Sequence, residues 1–278
     1  MPDDNLLQVQ AISAFDDNYI WLLSKGHCAV VVDPGDAHPV IDVLQKKSLV
    51  LQAILITHHH ADHIGGVAEI LSWCEHHQGV QPTVYGPARE EISCVSESVM
   101  GGDVISIPHL DAHFKVLDVP GHTAGHIAFY LETLNQSDEK NLERHLFCGD
   151  TLCASVCGRL FEVTATQMAH SLNQFKLLPD DTWVHCAHEY TLSNIKFALA
   201  VEPHNVDLQN WQNKAQLLRN QGLPTLPTTL AHEKRVNPFL RCEEVSVIQS
   251  VVQQRALQSI DPISVFAELR SWKDTFRA

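Results

Sequence analysis

The chain has 278 residues, 45% apolar and 19% charged, which is room for a full enzyme core and excludes a collagenous repeat or a disulfide-packed miniprotein. Its 19 Lys and Arg stand against 33 Asp and Glu. The resulting net charge of −14, with no Lys/Arg run of five, argues against a partner among the nucleic acids. The number that stands out is 18 His, almost as many as the permanent cations.

Residues 1–5 carry neither a basic leader nor an apolar stretch, and no window approaches 18 uncharged apolar residues. A cytoplasmic protein with no membrane partner is expected, acting as a monomer. Eight irregularly spaced Cys point to reduced thiols. Cys153-x-x-x-Cys157 is the closest pair and reads as buried or loop thiols.

In chain order, Leu7 to Ile12, Tyr19 to Leu23 and Cys28 to Val32 read as strands, closed by the turn Asp33-Pro34-Gly35. Val40, Ile41, Val43 and Leu44 have helical spacing, and Leu51 to Ile56 reads as a buried strand that runs straight into Thr57 to His63. Helical periodicity is expected over Ile64 to Trp73 despite Gly65-Gly66. Strands recur from Thr83 to Leu131, Val116 to Val119 ending at Pro120-Gly121-His122. Asn135 to Arg144 is expected to be a solvated loop, followed by a strand at His145 to Cys148 that closes on Gly149-Asp150-Thr151. Thr164 to Leu178 reads as a helix and Trp183 to Cys186 as a last strand before His188. Helical patterns then dominate: Leu192 to Val201, Val206 to Arg219, Glu243 to Leu257 and Ile263 to Phe276. Gly222 to Pro227 and Asn237-Pro238 are the strong interruptions.

Four places share one design, a strand that runs into a loop bearing His or Asp: His58/His60/Asp62/His63, His122, Asp150 and His188. In His58-x-His60 a local turn can aim both imidazoles at one ion, while the His59 side chain points away. Five His and two carboxylates exceed one tetrahedral site and suit two borderline cations that share a carboxylate. Three His in six residues after a buried strand have no packing rationale, because each buried imidazole needs a partner. A metal-storage protein would need many equivalent sites, whereas this fixed order suits one two-metal centre.

The segments Thr57-His58-His59-His60-Ala61-Asp62-His63, Pro120-Gly121-His122-Thr123-Ala124-Gly125-His126 and Gly149-Asp150-Thr151 together resemble the metallo-β-lactamase superfamily. His185-Cys186-Ala187-His188-Glu189-Tyr190-Thr191 resembles the glyoxalase II family within it, the hydroxyacylglutathione hydrolases. So do Gly158-Arg159-Leu160-Phe161-Glu162, Asn237-Pro238-Phe239-Leu240-Arg241 and Arg270-Ser271-Trp272-Lys273-Asp274. The resemblance implies an α+β fold: a four-layer αββα sandwich with a dinuclear metal site over residues 1–190, then a smaller all-helical glutathione-binding domain over 191–278. It implies that His58, His60 and His122 hold one divalent ion and Asp62, His63 and His188 the other, with Asp150 bridging. Zinc is the expected metal, and Fe or Mn suit the same ligands. Arg159, Tyr190, Arg270 and Lys273 fall where the family contacts the tripeptide.

The implied reaction is hydrolysis of an S-(2-hydroxyacyl)glutathione, such as S-lactoylglutathione to D-lactate and glutathione, the second step of methylglyoxal detoxification. A metal-bridging hydroxide would attack at a centre built on Asp62 and Asp150. A thiol leaving group, with a pKa of about 8.5, needs no dedicated acid. Asp33 and His126 are expected to orient ligands from behind. Ser155-Val156 and Val163 stand where the family often has glycine, and Arg159 and Phe161 stand where some members have Lys and Tyr. A mononuclear iron persulfide dioxygenase is the rival on the same scaffold, and the tail ending in R-x-x-K favours the hydrolase.

Overall fold

Alternating and β-branched runs become strands, and each candidate ligand lies just past a strand end. The computed structural model describes residues 6–79, 81–134, 142–255, 257 and 259–277. The chain divides into two units, Met1–Asp118 with Gly125–Gly149, and Val119–Ala124 with Asp150–Ala278.

In the first unit, β1 (Gln8–Ala14), β2 (Asn18–Lys25) and β3 (Cys28–Val32) are antiparallel neighbours. Helix α1 (Ala37–Lys47) leads to β4 (Val50–Leu55), parallel to β3. Next come α2 (Ala61–Ile64), α3 (Val67–His77), β5 (Thr83–Pro87) and β6 (Glu97–Val99), and the sheet order is β1-β2-β3-β4-β5-β6. Ala53, Ile54 and Leu55 of β4 are fully buried, and with Val31, Val40, Leu44 and Ile70 they fix the point from which the His run departs. β7 (Val104–Ile107), β8 (Ala112–Asp118), β9 (Ile127–Leu134) and β10 (Leu142–Gly149) pair antiparallel in sequence order. Of the loop expected over Asn135 to Arg144, residues 135–141 lie outside the described residues. Leu142, Glu143 and Arg144 instead extend β10, opposite Leu134, Thr133 and Glu132.

The helix expected to run through Gly65-Gly66 is broken there, and packing explains the break. The Gly66 N–H donates to Pro34 O at 3.0 Å. A Cβ on Gly66 would lie 2.5 Å from Ala37 N and 2.7 Å from Pro34 O, so the backbone meets the turn after β3 with no room for a side chain.

The second unit opens with a tight hairpin, β11 (Leu152–Cys153) and β12 (Val156–Cys157). It continues with α4 (Ala165–Lys176), β13 (Trp183–Cys186), α5 (Thr191–Val201), α6 (Val206–Asn220), β14 (Thr228–Thr229), α7 (Leu230–Val236), α8 (Val245–Gln254) and α9 (Pro262–Thr275). Side-chain oxygens of Thr164, Asn205, Thr229 and Asp261 cap α4, α6, α7 and α9. Ile195, Ala198, Leu208, Trp211, Ala215 and Val236 form a core between α5, α6 and α7. The periodicity of the sequence does not reveal α7, a seven-residue helix with three consecutive charged residues. Cys153 and Cys157 are buried, and all eight cysteines are free thiols. Among the described residues no helix is long and apolar enough to cross a membrane.

Candidate metal centre

In the first unit, β4 ends at Leu55 and the chain turns sharply enough to present His58, His60, Asp62 and His63 within ten residues. Asp33, held at a left-handed φ of 53° after β3, anchors this turn. Its carboxylate accepts from Thr57 N at 2.8 Å and Thr57 Oγ1 at 2.7 Å, and lies 3.0 Å from His63 Nδ1. These contacts assign the His58 tautomer. The Thr57 hydroxyl hydrogen is committed to Asp33, so His58 Nδ1, 3.1 Å from Thr57 Oγ1, carries the proton, and its Nε2 lone pair faces His60 Nδ1 at 3.0 Å. His63 Nδ1 stands 3.0 Å from Asp33 Oδ2, and its Nε2 stands 3.5 Å from Asp62 Oδ2. His126, buried, stacks on the His58 ring with centroids 4.6 Å apart. Asp33 and His126 therefore lie against the candidate ligands His63 and His58 respectively.

In the second unit, the short segment Val119–Ala124 brings His122 beside Asp150. His122 Nδ1 donates to the Arg159 carbonyl at 2.9 Å, so its Nε2 lone pair faces Asp150 Oδ2 at 3.3 Å. The other carboxylate oxygen, Oδ1, lies 3.3 Å from His188 Nε2. A lone pair set against a carboxylate oxygen is repulsive unless a proton or a cation lies between them. That arrangement, with the opposite ring nitrogen tied to an oxygen, is how protein ligands are prepared for a metal, so the donor set fits divalent ions.

Arg159, Tyr190, Arg270 and Lys273 line one cleft of about 340 Å³ in the second unit, together with His122, Asp150 and Phe161. Tyr190 stacks on His188, with centroids 4.8 Å apart and planes 2° apart. The Arg159 guanidinium lies over the Phe161 ring, and that ring meets His122 edge-on at 5.1 Å. Lys273 is half-buried over the Phe197 ring at 5.5 Å, and burial, then Arg270, pushes its ammonium below the ordinary range. Arg270 is more committed than its sequence position suggests. It is buried, with Nη1 donating to Cys157 O at 2.9 Å and Nη2 to Asp274 Oδ1 at 2.8 Å.

Two supports have no sequence signal, because their partners lie dozens of residues away. Asn18 Nδ2 donates to Asp62 Oδ2 at 3.1 Å, and Glu90 Oε2 sits 2.9 Å from His59 Nδ1, turning that ring aside.

Residues 14–226 match the metallo-beta-lactamase superfamily model, and residues 189–276 match the model described as hydroxyacylglutathione hydrolase C-terminus. A hydroxyacylglutathione hydrolase of Cupriavidus metallidurans is 50% identical, over 98% of this chain and 100% of its own length. One from Vibrio cholerae is 48% identical over the same shares. Among solved structures, a metallo-beta-lactamase from Staphylococcus aureus superposes with a TM-score of 0.61 at 21% identity, over 96% of this chain and 71% of the other.

Proposed function

We propose, since the chain belongs to the hydroxyacylglutathione hydrolase family of the metallo-β-lactamase superfamily, that its seven His and Asp ligands form one dinuclear hydrolytic centre. The chain is a thioester hydrolase whose α+β metallo-β-lactamase fold is followed by a helical C-terminal region. His58, His60 and His122 would hold one ion and Asp62, His63 and His188 the other, with Asp150 ligating both. When bound, two divalent ions supply water deprotonated near neutral pH and polarise the thioester carbonyl. The Arg159 carbonyl holds a proton on His122 Nδ1, which keeps its metal-facing nitrogen unprotonated, and the Asp33 carboxylate stands 3.0 Å from His63 Nδ1.

The cleft supports the same substrate class. A glutathione thioester carries two carboxylates, and Arg159 and Lys273 offer them charge in an otherwise acidic protein. Arg270, committed to the wall, acts chiefly by shaping it. Phe161 provides an apolar face beside His122. The departing thiolate is a good leaving group and asks no proton of the protein. We place the functional division near residue 190 and the enzyme in the cytoplasm, as a monomer with zinc, since His and carboxylate donors in this number suit that ion.

The observation that carries this reading is Asp150 turning one oxygen to each of two imidazoles beside a cationic cleft. Purified protein should hydrolyse S-lactoylglutathione, lose the activity on chelation, and regain it with zinc. Oxygen uptake with glutathione persulfide, and no thioester hydrolysis, would overturn the assignment in favour of the iron dioxygenase.

A further inference from the structure

One wall of the cleft is the β11–β12 hairpin, and buried side chains from the helices hold it residue by residue. Asn194 Nδ2 donates to Ala154 O at 3.1 Å, Asn237 Nδ2 to Val156 O at 2.9 Å, and Arg270 Nη1 to Cys157 O at 2.9 Å. The Ser155 N–H donates to Glu233 Oε2 at 2.9 Å. Ser155 has φ 66°, a left-handed conformation that a residue with a side chain adopts only when its surroundings hold it there. Glu233 is fully buried on α7 and is the hub of this set. Its Oε2 also accepts from Asn237 Nδ2 at 3.1 Å, and its Oε1 from Thr228 Oγ1 at 2.9 Å.

The hairpin ends at the centre itself. A Cβ on Gly158 would lie 1.8 Å from Asp150 O, so this residue packs directly on the ligand's backbone, and the next carbonyl, Arg159 O, orients His122. We propose that Glu233 is a positioning residue for thioester binding: through the Ser155 N–H it fixes the hairpin that forms the cleft wall. This rests on the cleft being the substrate site, as read above. Burial pushes the Glu233 carboxyl above the ordinary carboxylate range, and its two oxygens stand as acceptors for the Ser155 N–H and Thr228 Oγ1. A glutamine can reproduce that geometry, accepting from Ser155 N–H with its oxygen and donating to Thr228 Oγ1 with its nitrogen.

The test is steady-state kinetics on the metal-loaded protein with S-lactoylglutathione, with metal content and hydrogen exchange at residues 152–158 measured in parallel. Glu233→Ala should raise KM about tenfold, with kcat and bound metal within about twofold, and should speed exchange in the hairpin. Glu233→Gln should recover KM to within about twofold. Adding Ser155→Gly to Glu233→Ala should restore part of the loss, because glycine adopts the left-handed turn without the steric cost a side chain carries there. If Glu233→Ala does not fold, Glu233→Asp carries the same prediction: it keeps the carboxyl, shortens the reach, and should raise KM where Gln does not. A folded Ala or Asp variant with unchanged KM, while Lys273→Ala raises KM, overturns the positioning role. Unchanged KM in Lys273→Ala as well removes the cleft reading, and this inference with it.

Discussion

Asp150 places Oδ2 3.3 Å from His122 Nε2 and Oδ1 3.3 Å from His188 Nε2, so one side chain governs two imidazoles. Asp150→Asn is the sharper probe than truncation, since the amide nitrogen can donate to one imidazole and keep the local packing. Both ion content and thioesterase activity should fall together in Asp150→Asn, by a hundredfold or so in kcat/KM given what a bridging group contributes; full activity with two bound ions would remove the bridging role. His145 supplies a second residue-scale prediction. It is buried on β10, and burial lowers its pKa to about 4 from the usual 6.5. The unfolded chain takes up this proton near pH 6.5 and the native protein only near 4, so stability from the neutral imidazole is full above 6.5 and is lost as pH falls toward 4. Between pH 7.5 and 5 this amounts to about 2 kcal/mol. The pH dependence of denaturant midpoints should be flatter in His145→Leu over that window, and an equal slope would refute it.

At the level of elements, the ligand loop depends on close backbone approach. A Cβ on Gly35 would lie 1.9 Å from Asp62 O, so Gly35→Ala must push the turn after β3 away from α2. We expect a loss of about 1–3 kcal/mol and a fall in bound metal, read by thermal melts and metal analysis. Strand ends were legible where the chain is apolar and bounded by turn residues: Cys28 to Val32 and Trp183 to Cys186 appear with the same bounds in the fold. The hairpin of β11 and β12 and the strand β14 were not, since two-residue strands have no period to detect. Helix α7, which carries Glu233, lacked a readable apolar stripe for the same reason of length.

For the molecule as a whole, chelation should cost stability as well as turnover. An ion held at a hundred times its Kd by the native state alone contributes about 2.7 kcal/mol, which corresponds to a Tm lower by about 5–10 °C after metal removal. An unchanged Tm in chelated, ion-free protein would contradict a native-state metal. The candidate ligands were readable because a dense run, His58 to His63, anchors a motif order along the sequence. Their supports were not, because Asn18, Glu90 and Glu233 meet their partners only after the chain has folded across 44, 31 and 78 residues. The distance between partners also has a consequence for synthesis. Val119–Ala124 belongs with residues that follow Asp150 and not with its own neighbours in the chain. As the polypeptide leaves the ribosome, His122 emerges 37 residues before the carbonyl that fixes its tautomer. A nascent chain that stops short of Arg159 therefore has the histidine without the contact that orients it.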